Sequence, residues 1–217
     1  MEHLIRVKGT GNINVKPNLI VITMNLESQH YNYDKTMELA ADSVEILQNA
    51  IESAGFDKKD LKTTSFNIKT HYESYRDNND NYRSKFDGYI CRQSLKIEFD
   101  FDTEVMSKVF AAIAKTQISP QLDIQFSVKD KSVISERLLV SAAKNAKHKA
   151  EILAKASGVI LGDLVSIDYN WSELHLYSQT RCGVEENCMA VQSSYAPGIE
   201  PDDIKVSDTV LFVWEIK

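Results

Sequence analysis

Residues 132–158 read SVISERLLVSAAKNAKHKAEILAKASG, and no other segment constrains the architecture as strongly. Leu138, Ala142, Ala146, Ala150 and Leu153 recur at spacings of four and three, the signature of one helical stripe. Lys144, Lys147, Lys149, Glu151 and Lys155 fall largely to its sides. Small side chains let a helix axis approach closely whatever it packs on. The lysines at 147 and 149 break the stripe too soon for a sustained heptad seam, and strand-like sequence flanks the helix on both sides. The segment is therefore expected to lie across a sheet with its small residues inward.

Before this helix, Leu122, Ile124, Phe126 and Val128 alternate as a strand, and after it another strand begins near Asp163. The final strand holds Val206, Val210, Phe212, Trp214 and Ile216, and an apolar strand at a chain end usually pairs within a sheet. At the other end, LIRVKGTGNINVK (4–16) reads as a strand in which Gly9 and Gly11 mark a bulge or a close backbone approach. Ile20, Ile22, Met24 and Leu26 form the inward face of the next strand. Asp34 is placed to cap a helix carrying Met37, Ala40, Val44, Leu47, Ile51 and Ala54, with Gly55 where its C-terminus needs positive φ. A third strand spans 61–72, with Phe66, Ile68 and Tyr72 on one face. ESYRDNNDNYRSKFDG (73–88) reads as an exposed hairpin loop. Tyr89, Cys91, Leu95, Ile97, Phe99 and Phe101 alternate through a fourth strand, and Asp102 or Thr103 caps a shorter helix.

The expected fold class is α+β: antiparallel or mixed sheets with three helices packed on them, in the order β-β-α-β-β-α-β-α-β-β. No Ser/Gly/Pro-rich linker divides the chain. We expect a single domain over 1–217, with 1–101 and 102–217 as two interlocked parts. The stretch 172–203 is the longest irregular region, and such a loop is a natural place for a ligand or a partner.

With 43% hydrophobic and 26% charged residues among 217, the composition is ordinary and globular. The net charge of −6 argues against nucleic-acid binding, which requires a concentrated basic face. No run of about 18 apolar residues is present, so no membrane-spanning helix is expected. The start MEHLIRVKGTG lacks the basic end and apolar stretch of a secretory leader. That places the chain in the cytoplasm as written, or in the envelope had a leader been removed. Three cysteines make no disulfide framework, but Cys182 and Cys188 can pair in an oxidising compartment and are the candidate redox residues.

The search for chemistry is largely negative. GTG at 9–11 is not a dinucleotide fingerprint, because Asn14 stands at the third glycine position and the strand continues; a bulge is the favoured reading. The five histidines are scattered, and neither H-x-x-x-H nor C-x-x-C occurs. No G-x-S-x-G elbow is present, and Cys91 lies on an inward strand face. No catalytic residue, cofactor site or metal site is assigned. The one aromatic concentration, Tyr72, Tyr75, Tyr82 and Tyr89, surrounds the Asn-rich hairpin and is the candidate contact surface.

The segment VKGTGNINVKPNLIVITMNLES, then DLKT (60–63) leading into FNIKTHY, then KNAKHKAEILAKASG, then IEPDDIKVSDTVLFVWEI resembles the SIMPL family, also called DUF541, over nearly the whole chain. The resemblance implies an α+β fold of unassigned biochemical activity. It also implies homo-oligomeric assembly, since an envelope member is a ring- or channel-like multimer. Other members are bacterial envelope proteins linked to oxidative stress, a pathogen's outer-membrane immunogen, and an animal adaptor associated with an inflammatory kinase. The family brings no catalytic residues. Two features depart from its pattern: many bacterial members carry a signal peptide, and the usual Pro-Asp after the first strand is Pro17-Asn18 here. The expected function is thus a non-enzymatic, oligomer-forming protein. The rivals are a small-ligand-binding protein or hydrolase with a pocket under 172–203, and a redox sensor using Cys182 and Cys188.

Overall fold

The computed structural model describes residues 3–77, 80–170, 174–180, 182–184 and 199–217. Along the chain run β1 (Leu4–Val15), β2 (Leu19–His30), α1 (Tyr33–Ser53), β3 (Lys62–Arg76), β4 (Tyr82–Asp100), α2 (Thr103–Ala114), β5 (Gln121–Ser127), α3 (Lys131–Ala156), β6 (Leu161–Asp168), β7 (Cys182–Val184) and β8 (Ile204–Ile216). A 3-10 turn occupies Lys58–Asp60. The α+β class and the element order expected from the sequence are those observed, with β7 as a short addition inside 172–203. The chain forms two compact units.

The first unit comprises Met1–Asn18, Ser127–Gln179 and Pro201–Lys217. Its sheet has the order β1-β8-β6, with α3 packed on it. β1 and β8 pair antiparallel from Leu4↔Glu215 to Val15↔Ile204 without a register shift. The bulge expected at Gly9 and Gly11 is therefore absent, and the close approach is the correct alternative. A β-carbon on Gly9 would overlap the Ala142 carbonyl oxygen and sit 2.6 Å from the Ala146 β-carbon; one on Gly11 would overlap the Leu138 carbonyl. Two glycines on the strand and small residues on the helix thus bring two backbones into contact.

α3 buries Ile134, Leu138, Ala142, Ala146, Ala150 and Ala154, a row spaced by four throughout. Such rows slant across a helix surface at about 26° to its axis. Leu153, expected inward, is 48% exposed, whereas Ala154 is 3% exposed. One residue turns the helix by about 100°, so the slanted row selects 154 and carries 153 out to solvent. Val7, Val210, Phe212 and Trp214 meet the alanines, and Ile13, Val206 and Ile204 meet Leu138 and Ile134. α3 also covers the free edge of β1. The Thr10 N–H donates to Asn145 Oδ1 at 3.0 Å, and Lys149 Nζ donates to the Lys8 carbonyl at 3.2 Å.

The second unit comprises Leu19–Phe126 and Thr180–Glu200. Its sheet has the order β3-β4-β2-β5-β7. β2 and β4 pair antiparallel from Leu19↔Asp100 to His30↔Tyr89. Ile20, Ile22 and Met24 of β2, Leu95 and Ile97 of β4, and Ile124 and Phe126 of β5 join Leu47 and Ile51 of α1 and Met106 and Ile113 of α2 in one core. Asn32, not Asp34, caps α1: its Oδ1 accepts the Asp34 N–H at 2.9 Å. Asp34 falls instead in the first turn, where its charge suits the helix dipole. Asp102 caps α2 by accepting from Glu104 and Val105. Gly55 follows α1 with φ 102°.

The stretch 73–88, expected as loop, is mostly ladder. β3 runs to Arg76 and β4 begins at Tyr82, and the two pair from Tyr72↔Phe86 to Arg76↔Tyr82. Backbone pairing needs no apolar side chains, so a polar stretch can continue a hairpin without any periodicity to betray it.

Candidate interface on the tyrosine arm

β4 is longer than its partner β2, which pairs with it only from Tyr89 onward. Before that point, residues 82–86 pair with 72–76 of β3 alone. The result is a two-stranded arm. Its tip is held by polar bonds within residues 76–83. Asp77 N–H donates to the Asn81 carbonyl at 2.9 Å, and Arg83 Nε donates to Asp77 Oδ2 at 3.0 Å. Arg76 donates to the Tyr82 hydroxyl at 2.9 Å and to Asp80 at 2.8 Å, with its guanidinium 4.8 Å above the Tyr82 ring. The Tyr82 bond first, and then the Asp80 bond, raise the Arg76 pKa above its ordinary value.

At the base of the arm the register shifts between Thr70↔Tyr89 and Tyr72↔Phe86, so Asp87 and Gly88 together oppose His71. Gly88 has φ 95°, and a β-carbon there would lie 2.6 Å from the Tyr31 Cα. Only glycine meets both demands. The bulge reverses the alternation and turns Phe86 and Tyr89 toward each other, with ring centroids 5.5 Å apart. Phe86 also meets Tyr31 at 5.3 Å and Tyr72 at 5.8 Å, while Tyr89 meets Tyr33 at 5.4 Å. All four contacts are edge-on, the geometry that the ring quadrupoles favour.

Of the four tyrosines singled out in the sequence, Tyr72 and Tyr89 are thus joined through Phe86. Tyr82 lies opposite Arg76, two steps from Tyr72, and so shares the Tyr72 face; Tyr75 points to the other face. Tyr72, Tyr75 and Tyr82 are exposed, Tyr82 by 74%. The sequence reading missed Tyr31, Tyr33 and Phe86. Tyr31 and Tyr33 flank the α1 cap, and only the β2–β4 register brings that turn to the arm.

The remaining candidates are dispersed. Cys91 is buried, and burial pushes its thiol pKa up, partly opposed by the Gln93 amide. Cys182 enters β7, facing Ile124 across the ladder; its side chain, Cys188 and most of 172–203 lie outside the described residues. Among the described residues no cluster of His, Cys, Asp and Glu could hold a metal ion. Nor, among the described residues, is any helix long and apolar enough to cross a membrane.

A family model described as "Protein of unknown function (DUF541)" matches residues 5–214 of this chain. The chain belongs to the SIMPL family. Within it, the chain is 24% identical over 163 residues to a 26 kDa periplasmic immunogenic protein of Brucella melitensis, covering 75% of this chain and 65% of that protein. The Brucella abortus protein of the same name is 23% identical over the same shares. The match thus spans just under two thirds of the Brucella proteins. The uncharacterized protein YggE of Edwardsiella ictaluri is 20% identical over 208 residues, covering 96% of this chain and 84% of YggE. SIMPL membership agrees with the resemblance on the fold and leaves the activity unassigned.

Proposed function

We propose that this SIMPL protein is a non-enzymatic, homo-oligomer-forming protein whose tyrosine arm is a subunit contact. The observation that carries this reading is the arm itself, two strands that among the described residues pair only with each other and bear exposed Tyr72 and Tyr82 on one face. An isolated two-stranded hairpin is marginal in water, and exposed tyrosines are enriched at protein contacts. A neighbouring subunit would supply the third layer the arm lacks. The periplasmic names of the Brucella relatives support an envelope location. A stress-linked role belongs to the same proposal.

Light scattering on a sizing column tests the assembly. The wild type is expected above the 24.6 kDa of one chain, and Tyr72→Glu with Tyr82→Glu is expected to lower the mass without unfolding the protein. A wild type that runs as a single chain at working concentration overturns the proposal. Fractionation of the native host tests the location, and peroxide survival of a deletion strain tests the stress role.

A further inference from the structure

α1 packs on β2, β4 and α2 and scarcely reaches β3, the edge strand of its sheet. Among the described residues the inward face of β3 is consequently uncovered, and Phe66 is 50% exposed although it sits directly opposite buried Gln93. Between the flank of α1 and this strand runs an open groove of about 470 Å³, lined by Met37, Ala41, Val44 and Phe66, with Gln93 among its polar walls. Gln93 is 7% exposed; its amide nitrogen donates to the Ala40 carbonyl at 3.2 Å, while its oxygen has no hydrogen bond among the described residues.

We infer that this groove is a docking site for an extended peptide segment of another protein, added as a strand to the free edge of β3. β3 ends its sheet, and that edge selects a strand as the occupant. The stretch 65–70 of β3 lies between two register shifts and pairs regularly with β4, and among the described residues no backbone group bonds its outer side. A row of unmet N–H and C=O groups beside an apolar groove is what strand addition requires.

The alternation also sets the partner's chemistry. Phe66 and Ile68 face the groove side, so alternate partner residues there are apolar, with one donor side chain for the Gln93 oxygen and for Glu45, another groove residue. Ser65, Asn67 and Lys69 face the other side, with Lys62 just beyond the bulge; neither lysine has an ionic partner among the described residues. Opposite charges across a sheet attract, so the partner's outward residues are acidic.

The test uses the full chain and an acetylated, amidated probe, Val-Glu-Val-Glu-Lys-Glu-Val-Glu-Val, read by fluorescence anisotropy of a labelled copy. Saturable binding is expected despite the net negative charge of both molecules. Binding should weaken about tenfold or more, the equivalent of about 1.4 kcal/mol, when Glu and Lys are exchanged in the probe, and the Lys62→Glu, Lys69→Glu double variant should invert that preference. Methylating alternate backbone nitrogens of the probe should abolish binding. So should Ala41→Phe, which fills the groove from an exposed helix position and is checked by an unchanged melting curve. No binding by the parent probe, equal binding by the methylated one, or indifference to Ala41→Phe overturns the proposal. A native mass that Ala41→Phe reduces, with the arm variants inert, assigns the groove to a second copy and overturns the peptide partner.

Discussion

The backbone of Gly9 lies against that of Ala142 so closely that no side chain fits between them. The contact joins β1 to α3 without intervening side chains, and the alanine row of α3 exists to permit it. Gly9→Ala or Gly11→Ala must therefore push the helix off the sheet. Overpacking typically costs about 1–3 kcal/mol, and because backbone atoms are the obstacle the loss should reach or exceed the top of that range. Thr10→Ala, at a position turned away from α3, should cost less. Urea unfolding midpoints would compare the three.

The slant of the buried row on α3 makes a second prediction. Leu138→Ala should destabilise the protein by about 2–5 kcal/mol, as for other core leucines, whereas Leu153→Ala should stay within about 0.5 kcal/mol. Equal losses at the two sites would mean that the helix sits rotated from the position described.

Gly88 makes a third. Gly88→Ala adds a side chain where φ is positive and where His30 and Tyr31 already press on the strand. Such strain costs about 1–3 kcal/mol, and it should also separate the Phe86 and Tyr89 rings. Ring-proton shifts of Phe86 would report that separation, and unchanged shifts would show that the bulge does not depend on glycine.

Cys91 makes a fourth. Burial raises its thiol pKa, so the reactive thiolate is scarce in the folded protein. At pH 8, a thiol reagent should leave Cys91 unmodified until denaturant is added, and that slow fraction should vanish in Cys91→Ala. The sign for stability follows. A raised folded-state pKa gives a contribution that is intact below the unfolded value, about 8.5, and is lost as pH rises through the folded value. Stability should therefore fall on the alkaline side, less so in Cys91→Ala.

Much of the arm was legible in part. Tyr72, Tyr75, Tyr82 and Tyr89 stand out in the sequence by composition alone, but composition says nothing about which share a face. Extrapolating strict alternation puts Phe86 and Tyr89 on opposite sides of β4, and the bulge at Gly88 reverses that. The groove was not legible at all. Phe66 and Ile68 alternate like core residues, and nothing local reveals that α1 stops short of them.

By itself the sequence determined the class, the order of elements, the inward faces of β2, β4 and β8, and a cap for α2 at Asp102 or Thr103, of which Asp102 is the one used; the cap of α1 it placed at Asp34 rather than Asn32. These depend on short-range periodicity and local hydrogen bonds, which a chain carries wherever it goes. Only the tertiary structure decided that Gly9 and Gly11 meet a helix backbone rather than a bulge, that Ala154 replaces Leu153 in the core, and that, among the described residues, β3 is left bare beside α1. Each of these is set by the register or the lateral offset between segments distant in sequence, and an offset of one residue or one strand width leaves the local pattern unchanged.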